Sequence, residues 1–270
     1  MAPQNVNANI VDSDDEYEWT DNRLVQMPTH TGQPGNLHSH YQRVLMSKRN
    51  IANPSPLGLC GFAFTTFLLS AINMEVLDVK HSSIVISGAF AYGGLVQLCA
   101  GMWEMAIGNT FGATSLSSFG GFWIAIAIIL TPGGFEIEKS YDSLEFNHAF
   151  SLFLFGWFIF TTLLLLCTLS SSVAQFSIFL TLDLAFLCLA LGRRYPHLSG
   201  EVYAPHRNLT YVGGVFGMLS AFAAWYNALA GIAASNHTFF TLPVLHFPWS
   251  EHVRLQRRKK MPLDQSVSPA

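Results

Sequence analysis

Long uncharged runs separated by short polar breaks organise the chain. No Asp, Glu, Lys or Arg occurs from Pro54 to Met74, Ser82 to Trp103, Asn109 to Phe135, Ala149 to Leu182 or Asn208 to Asn236. A bilayer's hydrocarbon core is about 30 Å thick, and a helix needs about 20 apolar residues to cross it. The run from Ala149 holds one span and the start of another. Ser170-Ser171-Ser172 marks the turn, and the second span continues through Asp183 to Gly192. The pattern predicts six spans at 56–75, 83–105, 112–131, 148–169, 173–192 and 210–233. Six such helices in a soluble protein would leave no polar face for water. A transmembrane β-barrel would instead alternate with period two over strands of about ten residues. The fold class is therefore an all-α membrane protein with six transmembrane helices in one bundle.

Charge distribution supplies the domain plan. Only 11% of residues are charged, against about 25% in ordinary soluble domains, and they crowd into the ends and a few loops. Residues 1–50 are polar, with Asp12, Asp14, Asp15, Glu16, Glu18 and Asp21 clustered. Such a segment buries too little apolar surface to fold alone, and it reads as a disordered acidic tail. Its start lacks the pattern of a cleavable signal peptide. Residues 51–240 form the transmembrane domain, and 241–270 a basic C-terminal tail.

Positive loops favour the cytoplasm. Arg43, Lys48 and Arg49 precede span one, and Arg254, Arg257, Arg258, Lys259 and Lys260 follow span six. Both termini read as cytoplasmic. The loop between spans three and four, with Glu136, Glu138, Asp142 and Glu145 against Lys139, suits the outside. One loop disagrees: Arg193, Arg194 and Arg207 fall on the outer side, beside the sequon Asn208-Leu209-Thr210. Cys60, Cys99, Cys167 and Cys188 all fall within spans, without a Cys-x-x-Cys pair. They read as apolar packing residues, not as disulfides or metal ligands.

Helices in lipid associate through small residues and interhelical hydrogen bonds. In span six, Gly213, Gly217, Ala221, Ala224, Ala228 and Gly231 recur at steps of three and four, and this face should touch another helix. In span two, Gly94, Gln97, Gly101, Glu104 and Gly108 form one stripe, opposite Leu95, Leu98, Met102 and Met105. Gln97 and Glu104 cannot face acyl chains. Gln97 serves as interhelical glue or lines a pore. Glu104, at the end of its span, opposes the helix dipole and wants a partner. Asp183 lies well inside span five, where an acid marks a proton path or a hydrogen bond to a neighbouring helix.

Before span one stands Asn53-Pro54-Ser55-Pro56-Leu57-Gly58-Leu59. Its prolines and Asn53 suit a helix start. An aquaporin would need two Asn-Pro motifs, one per half. The heptad resembles the signature of the acetate uptake transporters, which include bacterial succinate–acetate permeases and fungal acetate permeases. Tyr92-Gly93-Gly94-Leu95-Val96-Gln97, Ala100-Gly101-Met102-Trp103-Glu104, Gly108-Asn109-Thr110-Phe111-Gly112-Ala113-Thr114 and Ser118-Phe119-Gly120-Gly121-Phe122-Trp123 agree in order and spacing. The acidic start and basic end resemble the fungal branch. The resemblance implies a plasma-membrane homohexamer with one pore per protomer, carrying acetate and similar short carboxylates with protons. Fungal relatives also suggest ammonium export. It further implies an apolar constriction formed by Phe62, Phe119 and Leu182, with Leu180 the alternative to the last. Phe119 stands where the family usually has Tyr, which removes a hydroxyl and favours longer or more apolar acids.

An anion stripped of water needs replacement partners. It crosses as the protonated acid, or hydroxyls and amides replace its water in stages. Thr65, Thr114 and Ser118, with Asn53, Gln97 and Asn109, supply such groups; Thr110 belongs to the same signature. Asp183 or Glu104 would relay a proton. The rival readings are ammonium efflux, for which Phe62, Phe119 and Trp123 would offer ring faces, and a membrane sensor signalling through its tails. No nucleophile–base set points to an enzyme, and no cofactor, metal or nucleic acid is expected. Deleting residues 1–45 separates transporter from sensor. Labelled acetate uptake should survive the deletion, whereas signalling through the tail should not.

Overall fold

The structure, a computed structural model, describes residues 51–79, 81–233, 242–243, 245–250 and 253–254, with the backbone of two short strands near the N-terminus. Among the described residues, six helices are long and apolar enough to cross a membrane: α1 (Ser55–Asn73), α2 (Ser83–Ala106), α3 (Thr110–Leu130), α4 (Ser143–Thr168), α5 (Val173–Arg194) and α6 (Arg207–Ala233). The chain divides into two units, Met1–Ile51 and Ala52–Ala270. In the first, β1 (Tyr17–Thr20) pairs antiparallel with β2 (Arg23–Gln26). The expectation of a disordered tail did not include this pair. Its aromatic and β-branched residues suit strands. The rest of that tail lies outside the described residues, as does most of the basic C-terminal tail.

Capping chemistry sets the helix starts. The Ser55 N–H donates to Asn53 Oδ1 at 3.1 Å, and the Gly112 N–H to Asn109 Oδ1 at 3.1 Å. Asp142 Oδ1 accepts from the N–H groups of Leu144 and Glu145, at 2.9 and 2.8 Å. That cap starts α4 at Ser143, five residues before the 148 expected from hydropathy. Ser172 Oγ accepts from the Gln175 N–H at 3.2 Å and opens α5. Between α5 and α6, β3 (His197–Ser199) and β4 (Val202–Ala204) form a hairpin that the hydropathy pattern does not reveal.

The body also extends past residue 240, where composition placed its end. The Val173 N–H donates to the Leu245 carbonyl, and Trp249 Nε1 to that of Leu169, both at 2.8 Å. The Phe247 ring sits between Phe176 and Trp249, with centroids 5.6 and 5.0 Å away. Aromatic anchors, not charge, decide this boundary.

Small residues bring the helices together. α2 is π-helical from Ala91 to Val96, a geometry associated with functional sites. There Gly93 lies so close to α1 that a β-carbon would overlap Thr65 Oγ1, and one on Gly61 would lie 2.7 Å from the Tyr92 carbonyl oxygen. The small face of α6 meets helices of its own chain. β-Carbons at Gly213 and Gly231 would fall 2.8 Å from Leu189 of α5 and Pro56 of α1, and one at Gly217 would overlap Ser70 Oγ of α1. The polar stripe of α2 faces inward from Gly94 to Glu104, where Gly101 abuts Ser117 of α3, while Gly108 lies past the helix end and is exposed, as are Leu95, Met102 and Met105.

Overpacking a tight contact costs about 1–3 kcal/mol. Gly93→Val should therefore lower the melting temperature of the purified protein. Gly121→Ala, where a β-carbon meets nothing within 4 Å, should leave it unchanged or raise it. Equal melting temperatures would contradict the close α1–α2 approach.

Candidate transport pathway

Three side chains from three helices meet at the centre of the second unit. Phe62 of α1, Phe119 of α3 and Leu182 of α5 are 4%, 3% and 5% exposed. All three line a cavity of about 130 Å³ on one side and a second of about 780 Å³ on the other. Leu180, the alternative position, is 37% exposed and lines neither. The Phe119 ring is the hub. Its centroid lies 5.9 Å from Phe62, 5.8 Å from both Trp157 and Phe160, 6.3 Å from Phe179 and 6.4 Å from Phe186. No hydroxyl or amide belongs to these rings apart from the Trp157 N–H, so an ion passing between them exchanges water for hydrocarbon.

The larger cavity lies at the end where α1 and α3 begin. Ser55, Gln97, Asn109, Thr110, Thr114, Ser115, Thr168, Ser171, Gln175 and Asn227 give it a polar lining. Gln97 is fully buried, and neither end of its amide has a hydrogen-bond partner. Buried amides are nearly always paired, and no neighbouring helix supplies the bond that interhelical glue requires. Gln97 lines the larger cavity with the donor and the acceptor of its amide both unused. Across the constriction, the unpartnered Thr66 Oγ1 and Trp123 Nε1 belong to residues lining the smaller cavity.

The other sequence-derived candidates separate into two groups. Asn109, Thr110 and Thr114 join Gln97 in the larger cavity. Asn53, Thr65, Ser118, Glu104 and Asp183 line neither cavity. Asn53 Oδ1 accepts from the Ser55 N–H just ahead of α1, while Thr65 Oγ1 donates to the Gly61 and Gly88 carbonyls at 3.0 and 3.4 Å, joining α1 to α2. Fully buried Glu104 accepts from Ser55 Oγ and, at 2.6 Å, from Asn109 Nδ2. These are the partners its place at the end of α2 demanded. Both donors line the cavity, so Glu104 lies one hydrogen bond behind its wall. Asp183 turns toward α4 and accepts from Thr162 Oγ1 at 2.9 Å.

Sequence reasoning missed Gln175 and Asn227, whose signal was an uncharged amide near the end of an apolar span. It also missed Arg193, treated only as a charge on the wrong side. Arg193 lines the smaller cavity and also an adjoining basin of about 630 Å³. The four cysteines are unbridged, and the described residues contain no cluster able to hold a metal.

Residues 34–249 match the GPR1/FUN34/yaaH family. Acetate permease A of Emericella nidulans is 59% identical over 78% of this chain and 72% of its own length. Ammonia transport outward protein 2 of Saccharomyces cerevisiae is 42% identical over 75% of this chain and 69% of its own. A solved structure of the bacterial acetate channel SatP superposes with a TM-score of 0.60 at 28% identity, covering 72% of this chain and 99% of that one. With four-fifths of its length in the match and its six helices in the same arrangement, the chain is a multi-pass membrane protein of the GPR1/FUN34/yaaH family.

Proposed function

We propose that the protein carries acetate and related short-chain monocarboxylates across the plasma membrane, coupled to protons. The observation that carries this reading is the pair of cavities meeting at Phe62, Phe119 and Leu182, with the unpartnered Gln97 amide on one side. A carboxylate or its acid matches that amide, since the NH2 donates to an oxygen and the C=O accepts from a protonated hydroxyl. The smaller cavity has room for a few water-sized groups, each about 30 Å³. The names of the acetate permease and the acetate channel support the same substrate class.

The apolar constriction favours passage as the neutral acid. Ser55 and Asn109 lead from the larger cavity to Glu104, which makes Glu104 the better placed of the two acids for a relay. Asp183 is engaged with Thr162 away from both cavities. Each chain encloses its own path and is proposed to assemble as a homohexamer with both termini cytoplasmic, so the Arg193 end faces outside. Ammonium export is the second reading, favoured by the ammonia-transport relative. The sensor reading has no comparable support.

Labelled acetate flux into proteoliposomes, with and without a pH gradient and with ammonium as competitor, tests the main reading. Flux should rise with external acidity and persist in ammonium. No acetate flux under any condition would sink it. Glu104→Gln should flatten the pH dependence and Asp183→Asn should preserve it, and an unchanged profile in Glu104→Gln would remove Glu104 from the relay. Phe119→Tyr should shift preference toward acetate over propionate and butyrate. An unchanged ranking would show that the missing hydroxyl does not set selectivity.

A further inference from the structure

We infer that Arg193 forms a carboxylate-capture site at the mouth of the smaller cavity, where the substrate anion is held before it reaches the constriction. Arg193, with the apolar Leu130 and Pro205, lines both the apolar cavity and the basin, and it is the charged residue of the three. Its guanidinium therefore lies where the two spaces adjoin. That group has five N–H donors in a planar fork. Its hydrogen bond runs from Nη1 to Asn147 Oδ1 at 3.0 Å, and no carboxylate among the described residues lies within ion-pair distance. The Phe150 and Phe146 rings, with centroids 4.8 and 5.9 Å away, hold its flat face. Asn147 is itself fixed, because its Nδ2 donates to the Ser143 and Tyr203 carbonyls at 2.7 and 3.0 Å. The fork is therefore positioned by a neutral amide and two rings, none of which neutralises its charge.

Such a fork binds a carboxylate through two parallel hydrogen bonds. Glu136 and Glu138 share the basin. Lys139 engages Glu136 at 2.7 Å, which leaves Glu138 as the negative charge opposing an incoming anion. The neighbouring cations differ from Arg193. Arg207 is paired twice with Glu75, at 3.2 and 3.0 Å, and exposed Arg194 lies over Tyr195 and lines neither cavity.

The inference rests on the carboxylate-transport reading, and one assay separates their failures. If the native protein shows no acetate flux in proteoliposomes, that reading fails first. If it does, Arg193→Gln should raise the apparent KM for acetate roughly tenfold or more, as loss of a charge-assisted hydrogen bond implies. The native KM should rise with ionic strength through screening, and that of Arg193→Gln should not. Arg194→Gln removes an equal charge nearby and should leave KM within about twofold, a margin that neutral surface substitutions keep. Glu138→Gln should lower KM in the native protein but not beside Arg193→Gln, a coupling that a purely structural arginine would not produce. If Arg193→Gln fails to insert, Arg193→Lys decides, because it keeps the charge and loses the fork. A native KM in whichever of these two variants inserts overturns the proposal, as does an equal rise in Arg194→Gln.

Discussion

A buried carboxylate ties together helices that line the larger cavity. Glu104 ends α2, Ser55 opens α1 and Asn109 opens α3, and the two openers donate to its oxygens. A negative charge at a helix C-terminus opposes that helix's dipole, but the N-termini of α1 and α3 present the favourable end of theirs. Asn109 holds the carboxylate through its NH2 and caps α3 through its Oδ1. Gly112 completes the corner, since a β-carbon there would lie 2.9 Å from Glu104 Oε2. Phe62 lies two turns along α1 and Phe119 nearly three along α3. A shift at this corner would therefore be carried to both rings.

The proposed constriction would balance closure against passage. Aromatic rings packed around Phe119 exclude water and seal the bundle centre. The same rings cannot hydrogen-bond an ion, so the polar work falls to groups on either side. On the Asn109 side these are amides and hydroxyls without charge. On the other side they thin to Thr66, Ser70, Asn73, Ser82 and Thr210, with Arg193 beyond. The two cavities are chemically asymmetric, with a neutral polar lining in one and a cation in the other.

Much of this could be read from the sequence because membrane burial writes itself into hydropathy. All six helices, the inward stripe of α2 and the packed face of α6 follow from apolar runs and small-residue spacing. Phe62, Phe119 and Leu182 came from the resemblance to a family, since nothing in an apolar span marks which aromatic meets another across the bundle. The start of α4 was missed because Asp142 and Glu145 lower the hydropathy of a turn that capping makes helical. Direction around a helix axis was the other gap. Asp183 and Leu182 are adjacent in sequence, yet about 100° of helical rotation separates a pathway residue from one turned toward α4.

The same limit explains the loop that disagreed with the charge pattern. The positive-inside rule counts cations without regard to what each one touches. Arg207 is balanced by Glu75 from the far end of α1 and adds little net charge to its loop. Arg193 is no loop charge at all. It belongs to the last turn of α5, where cations suit the helix dipole, and it points between the smaller cavity and the basin. Of the three, Arg194 alone is left as an exposed cation, beside His148 and Tyr195. The conflict with the two basic chain ends thus reduces to one residue. The cation that seemed misplaced for topology stands where an anion leaving water would meet it.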